Sequence, residues 1–189
     1  MMNSGGGTIH YRLVASFLGD VGVVWEGGGR APLVVRVMLP RLDGPTADGI
    51  RKDYPDAVEE IDGGPGTLCR VIGAFLEGRR GEFSLDGLAI DRCPAFQKRV
   101  LCETVRIPPG RVTSYGELAE AIHAPGAARA VGTALATNPF PLIIPCHRVV
   151  KTGGYLGQFG GGTAMKKSLL LLEGVAVDGR GRIPPAFFR

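Results

Sequence analysis

The 189-residue sequence predicts an α+β protein of two domains, and three observations carry that prediction. Short β-branched runs separated by glycine-containing turns fill the first 40 residues, the pattern of a strand meander. From residue 95 onward apolar residues recur at helical spacing instead. The sign of the charge changes between the two: residues 1–90 carry 9 Lys/Arg against 12 Asp/Glu, and residues 91–189 carry 13 against 6. A linker at Asp91-Arg92-Cys93-Pro94, with domains 1–91 and 92–189, follows from that switch and from the proline that stops regular structure.

In order, Ile9–Leu18 and Val21–Glu26 read as strands around the turn signal Gly19-Asp20, and Pro32–Leu39 as a third after Gly27-Gly28-Gly29. The acidic stretch Leu42–Asp62, interrupted by Pro55, reads as a broken helix or loop. Leu68, Val71, Ile72, Phe75 and Leu76 share one helical face in a helix ending at Gly78, and Phe83–Ile90 reads as a further strand. In the second half, Ala95–Arg106 presents Phe96, Val100, Leu101 and Val105 on one face and ends at Pro108-Pro109-Gly110. Ser114 and Glu117 have the spacing of a capping box for a helix through Ile122. A second helix, Ala127 to about Thr137, stops at Asn138-Pro139. After the Gly-rich loop Gly153–Gly162 comes a last helix, Ala164–Glu173, closed by Gly174.

Composition narrows the function. Hydrophobic content of 44% and charged content of 21% belong to a globular chain. No run approaches the ~20 apolar residues that span a bilayer, and the Gly-rich start lacks the apolar segment of a signal peptide. A cytoplasmic protein without membrane contact is expected. Cys69, Cys93, Cys102 and Cys146 form no CxxC pair, and only His10, His123 and His147 could join them, so free thiols and no metal are expected. Net charge is +4, and the basic second half is the part that would dock a polyanion, unless it is simply a solvated surface.

The helix pair Tyr115–Ile122 and Ala127–Thr137 has helix-turn-helix proportions. On its second helix Ala128, Val131 and Leu135 point one way, while Arg129, Gly132, Thr133 and Ala136 point the other. That outer face, one arginine among small side chains, suits close approach to a nucleic-acid backbone. A plain αα-hairpin packed against another helix would look the same. The densest chemical signal is Ile143-Ile144-Pro145-Cys146-His147-Arg148-Val149-Val150. A cysteine attacks as thiolate, and a free thiol with a pKa of about 8.5 is little ionised at neutral pH. His147 and Arg148 supply the polar, electropositive surroundings that would favour ionisation. Cys69 and Cys102 sit in apolar helical patterns as core residues. Glu173, in the last turn of a helix, faces the negative end of the macrodipole. It is either solvated or compensated by a partner such as His147.

Taken together, these residues resemble a family. Pro145-Cys146-His147-Arg148-Val149-Val150, Ser114-Tyr115-Gly116-Glu117-Leu118-Ala119, Ala128-Arg129-Ala130-Val131-Gly132, Asn138-Pro139 and Lys167-Ser168-Leu169-Leu170 with Glu173-Gly174 closely resemble the DNA 6-O-alkylguanine alkyltransferases. The likeness runs in order from about Phe96 to Gly174. It implies a ribonuclease-H-like N-terminal domain and a mostly helical C-terminal domain with a winged-helix-like helix-turn-helix.

The resemblance also implies roles. Cys146 would accept the alkyl group once per molecule, His147 would act through water as general base, Glu173 would orient it, and Asn138 would brace the turn. Tyr115 would donate a proton to the departing guanine. Arg129 would fill the space left by the flipped nucleotide, entering from the minor groove. Tyr115, Gly116, Ala128, Gly132 and Thr152 would contact DNA; Pro141, Val149, Gly157, Phe159 and Gly160 would line the base pocket, with the carbonyls of Cys146 and Val149 reading the guanine edge. The expected partner is double-stranded DNA containing 6-O-alkylguanine, bound by a monomer without cofactor. Gly160 departs from a position that is often polar in the family, so a bare pocket wall that accepts adducts larger than methyl is expected. Three other readings compete: a non-catalytic lesion-binding relative, a cysteine hydrolase that turns over, and a helix-turn-helix regulator for which Cys146 is incidental.

Overall fold

A computed structural model gives the fold and describes residues 7–27, 31–41, 43–79 and 81–189. These form two compact units, one up to Ile90 and one from Asp91 onward. The result is a mixed α+β protein.

In the N-terminal unit β1 (Ile9–Val14), β2 (Val21–Glu26), β3 (Leu33–Met38) and β4 (Val58–Glu59) form a sheet in the order β3-β2-β1-β4. β1–β2 and β2–β3 are antiparallel, with Tyr11 opposite Val24; β4 joins β1 in parallel. β2 is buried along Val21–Trp25, as expected of a β-branched run covered on both faces. α1 (Thr46–Asp53) covers one face, where Ile50 packs with Tyr11 and Val24. α2 (Gly66–Leu76) covers the other, where Gly73 approaches Val14.

Four expectations change here. The first strand stops at Val14 rather than Leu18, because residues 15–20 turn back, with Gly19 N–H bonded to the Ser16 carbonyl. The stretch after residue 42 resolves into α1 and β4, with Pro55 between them. Phe83–Ile90 is not a strand: only Leu88 bridges to Val34, since a turn at Asp86-Gly87, with Gly87 at φ 76, breaks the ladder. Cys102 is exposed, because α3 (Ala95–Val105) turns Val100, Leu101 and Thr104 inward and this thiol away. Gly28, Gly29 and Leu42 lie outside the described residues.

The C-terminal unit is built on α3, α4 (Tyr115–Ala121), α5 (Ala128–Ala136) and α6 (Gly162–Leu172). Ser114 and Glu117 form the expected reciprocal capping box at the start of α4. α4 and α5 pack together with Leu118 and Val131 fully buried, and Gln97 of α3 donates to the carbonyls of Ala134 and Thr137 at the end of α5. Two short parallel strands, β5 (Thr113–Ser114) and β6 (Val149–Val150), join the helix pair to the Cys146 segment. The C-terminal residues Ile183, Phe187 and Phe188 pack on Val112, Val150, Leu156 and Leu170 behind these strands. Among the described residues no helix is long and apolar enough to cross a membrane, and no cluster of three His, Cys, Asp or Glu side chains is placed to hold a metal.

Candidate active site

α5 ends before Asn138-Pro139, and the Asn138 side chain organises the turn beyond it. Its Oδ1 accepts from Phe140 N–H at 2.9 Å, while Nδ2 donates to the Ile144 carbonyl at 3.1 Å and to Cys146 Sγ at 3.3 Å. The turn inside this clamp carries Leu142 at φ 73, a left-handed conformation that costs a non-glycine residue about 1–3 kcal/mol. Buried at 1% exposure, Leu142 is held there by its surroundings. The turn delivers Cys146 to the start of a 3-10 turn, Cys146–Arg148, with 7% of its surface exposed.

His147 and Glu173 meet although 26 positions separate them: Nε2 lies 2.9 Å from Oε1. Glu173 caps the C-terminal end of α6, where the macrodipole disfavours a carboxylate. Arg148 offsets this by donating Nε to both carboxylate oxygens, at 3.1 and 2.9 Å, and Nη2 to Oε1 at 2.8 Å. Burial opposes the charge on Glu173, but His147 and Arg148 outweigh it and bring the carboxyl down to about 2. Glu173 is then acceptor-only at neutral pH, so Nε2 carries the imidazole proton. Burial lowers the His147 pKa although Glu173 pulls the other way, and the ring stays neutral. Nδ1 is therefore the basic nitrogen.

The surroundings of the sulfur differ from the expected ones. Arg148 turns away, to Glu173 and to the Ile107 carbonyl at 2.5 Å. The cation acting on Cys146 is Lys166, which is absent from the site residues expected from sequence. Its Nζ donates to the Val149 carbonyl at 2.6 Å and lies 5.8 Å from the centre of the Tyr115 ring. Burial pushes the Cys146 thiol up, and Asn138 and Lys166 only partly offset it. The sulfur is thus a buried thiol poised for ionisation rather than a standing thiolate. A signal for Lys166 exists in the sequence: it shares a helical stripe with Leu169, Leu170 and Glu173 at i+3, i+4 and i+7.

Tyr115 opens α4 and faces the same space. Burial raises its hydroxyl pKa, with Cys146 adding to the rise, so the group remains a proton donor. Gly132 and Gly157 flank it: a Cβ at Gly132 would lie 3.9 Å from the ring, and one at Gly157 would lie 3.5 Å from the hydroxyl. Val149 in β6 and Pro141 in the Asn138 turn are both buried. Phe159 is half-buried in the loop before α6, and Gly160 there is open, with nothing within 4 Å of a Cβ. Arg129 is exposed near the start of α5, with Thr133 and Ala136 exposed after it; Ala128, Gly132 and Gly116 are half-buried and Thr152 is exposed. The site therefore gathers Cys146, His147, Glu173, Asn138, Tyr115, Val149 and Gly157, with Arg129 on the outer face of α5.

Comparison with known proteins shows the family of the chain. A family model described as "6-O-methylguanine DNA methyltransferase, DNA binding domain" matches residues 95–175. The methylated-DNA–protein-cysteine methyltransferase of Methanothermobacter thermautotrophicus is 35% identical over 161 residues, spanning 85% of this chain and 83% of that protein. Its counterpart from Mycolicibacterium paratuberculosis is 37% identical, spanning 87% and 92%. Among solved structures, Mycobacterium tuberculosis OGT in complex with DNA superposes with a TM-score of 0.70 at 33% identity, covering 87% of this chain and 92% of that one. The O6-methylguanine-DNA methyltransferase of Pyrococcus kodakaraensis superposes with a TM-score of 0.64 at 25% identity, covering 89% and 100%. With a buried cysteine, an oriented histidine and relatives that match most of its length, the chain belongs to the methylated-DNA–protein-cysteine methyltransferase family.

Proposed function

We propose that the chain repairs alkylated DNA by moving the alkyl group from the 6-oxygen of guanine to Cys146, once per molecule. The observation that carries this reading is a sulfur hydrogen-bonded by Asn138 next to a histidine whose Nε2 is committed to an ionised Glu173. In that setting Nδ1 of His147 takes the thiol proton through a water, and Glu173 stabilises the imidazolium that forms. The thiolate attacks the alkyl carbon in line with the C–O bond. The S–C bond forms as the C–O bond breaks, and the electron pair leaves on guanine. Tyr115 hands guanine a proton, so the proton lost by sulfur is matched by one gained on the base. A thioether has no route back to thiol, which makes the transfer stoichiometric, and no cofactor enters the balance.

The partner is double-stranded DNA containing 6-O-alkylguanine. Residues 92–189 act as the DNA-binding and alkyl-acceptor domain, and residues 1–91 support it. The α4–α5 pair serves as a winged-helix-like helix-turn-helix that lies in the minor groove, with Gly116, Ala128, Gly132 and Thr152 against the backbone. Arg129 enters the stack where the nucleotide flips out, at a cost of a few kcal/mol that is lower for a mispaired lesion. Pro141, Val149, Gly157, Phe159 and Gly160 receive the base. The sheet order β3-β2-β1-β4, with β4 parallel to β1, supports a ribonuclease-H-like reading of the first unit. The protein acts as a cytoplasmic monomer in this reading.

The test uses duplex DNA carrying labelled 6-O-methylguanine, with mass analysis of the protein afterwards. One methyl per chain on Cys146, and none on the Cys146→Ser variant, is expected. Turnover beyond one equivalent would favour a hydrolase, and binding without transfer a lesion-sensing relative; label on another residue would also overturn the assignment.

A further inference from the structure

Residues 174–189 follow α6 and carry Arg180, Arg182 and Arg189 against a single acidic side chain, Asp178. Backbone hydrogen bonds fix this tail in place. Ile183 N–H donates to the Gly154 carbonyl at 2.9 Å, Val112 N–H to the Phe187 carbonyl at 3.0 Å, and Arg189 N–H to the Val112 carbonyl at 3.2 Å. Gly154 is buried at φ 82, and a Cβ there would run into the Ile183 carbonyl, so the loop after β6 and the tail meet backbone to backbone. Asp178 tightens the turn before Ile183, its Oδ1 accepting from the N–H groups of Arg180 and Arg182 at 2.8 Å each.

This anchoring sets tail cations beside the loop that carries Thr152. Tyr155 and Arg182 face each other across an antiparallel bridge, and the Arg182 guanidinium lies 6.0 Å from the centre of the Tyr155 ring. The same ring lies against Gly153, where a Cβ would stand 3.6 Å from it. Tyr155 is 51% exposed, and Lys151, Thr152, Gly153 and Arg180 are exposed with it. Residues 151–157 and 178–183 together hold three cations, Lys151, Arg180 and Arg182, and one acid. That acid, Asp178, lies 3.5 Å from Arg182 Nε and offsets one of the charges. The patch is positive, and it presents an aromatic hydroxyl among its cations.

We propose that Lys151, Tyr155, Arg180 and Arg182 form a second contact for the DNA backbone, continuous with Thr152 and built on the tail rather than on the α4–α5 pair. This rests on the reading of double-stranded DNA as the partner. Lysine and arginine neutralise phosphates and release their counterions, and tyrosine hydroxyls also bond phosphate oxygens. Contacts of this kind carry no sequence information; they fix the register and orientation of the duplex. Here they act next to the pocket, because the Lys151 side chain runs past Gly157, 3.3 Å from where a Cβ would stand. The hydrogen bonds of the tail hold the cations in advance, so less side-chain and loop freedom is lost when DNA docks.

The experiment follows binding of a fluorescent duplex containing 6-O-methylguanine by anisotropy at several salt concentrations. The full chain is used in a Cys146→Ser background, so that no transfer intervenes. Arg180→Gln is expected to make the slope of log affinity against log salt shallower by about one and to weaken binding about eightfold near 0.1 M salt. Lys151→Gln, on the loop side of the patch, is expected to do the same, so the test does not depend on one variant folding. Arg180→Lys should keep the parent slope, because a point charge serves a phosphate. Arg106→Gln removes a cation paired with Glu103 at the end of α3 and controls for net charge; its slope should match the parent's. Parent slopes in both Arg180→Gln and Lys151→Gln, or an equal fall in Arg106→Gln, would overturn the proposal. A parent that fails to bind the duplex would instead sink the DNA reading itself.

Discussion

Glu173→Gln removes a charge on which two side chains, His147 and Arg148, and the Gly110 N–H converge, and its cost can be worked from the site. The carboxyl titrates at about 2 against an ordinary 4.5, and its side chain is 3% exposed, so solvent screening takes little from the difference. That gap of about 2.5 units corresponds to roughly 3 kcal/mol at 1.36 kcal/mol per unit. The substitution also strands the Arg148 guanidinium, whose side chain is 9% exposed, and breaking such a pair costs about 3–5 kcal/mol. We expect the C-terminal unit of Glu173→Gln to lose about 3–4 kcal/mol at neutral pH. Its single-turnover transfer rate should fall at least tenfold, because His147 loses the acceptor that fixes its tautomer. Urea unfolding monitored by far-ultraviolet circular dichroism is the assay, since the one tryptophan, Trp25, lies in the other unit. The double variant Arg148→Met/Glu173→Gln should recover part of the loss, with a coupling above about 1 kcal/mol. The sign with pH comes from the depressed carboxyl: its contribution is present above about 4.5 and is lost as pH falls toward 2. A Glu173→Gln protein within about 0.5 kcal/mol of the parent would refute the reasoning.

Asn138→Ala should destabilise the turn by about 1–3 kcal/mol, because the Phe140 N–H loses its partner and the Ile144 carbonyl keeps only the Cys146 N–H, and should slow transfer by withdrawing the donor to sulfur; urea titration and single-turnover kinetics check both. Gly157→Ala should slow transfer severalfold, since φ 74 disfavours a side chain and the methyl would stand 3.3 Å from Lys151 and 3.5 Å from the Tyr115 hydroxyl. Gly160→Ala should be tolerated with the methyl substrate, there being no atom within 4 Å. For the same reason the parent protein should accept 6-O-benzylguanine, and complete refusal of the benzyl base would end the idea of a bare wall. Arg129→Ala should cut transfer from duplex DNA at least tenfold while moving the unfolding free energy by less than about 0.5 kcal/mol, because the side chain is exposed. Equal rates for parent and variant would remove Arg129 from the DNA contact.

Much of the helical half is legible in the residues. The i, i+3, i+4 stripes of α2 and α3, the Ser114–Glu117 box and the stop at Asn138-Pro139 are local patterns, and a helix forms where such patterns agree. Strand limits are less legible. Ile9–Leu18 reads as one apolar run, yet only pairing with β2 decides that the strand ends at Val14. Cys102 reads as a core residue although it is exposed, because a short apolar helix leaves its facing ambiguous until a neighbour packs against Val100 and Leu101. Lys166 escapes a reading by residue type, in which adjacent lysines belong to solvent, although this one lies on the buried stripe.

The linear order of residues determined which side chains exist to do chemistry and which local periods they keep: one Cys-His pair after a proline, a smooth helix with one arginine, a glutamate ending α6. It also determined the likeness to a family, because short motifs in register survive without knowledge of their surroundings. Only the tertiary structure decided where charge resides. It turned Arg148 from the sulfur to Glu173, brought Lys166 inward to replace it, and buried Cys146 so that the resting thiol holds its proton. The physical reason is that ionisation depends on solvent access and on charges brought together from positions far apart in the chain. Neither quantity has a local signature.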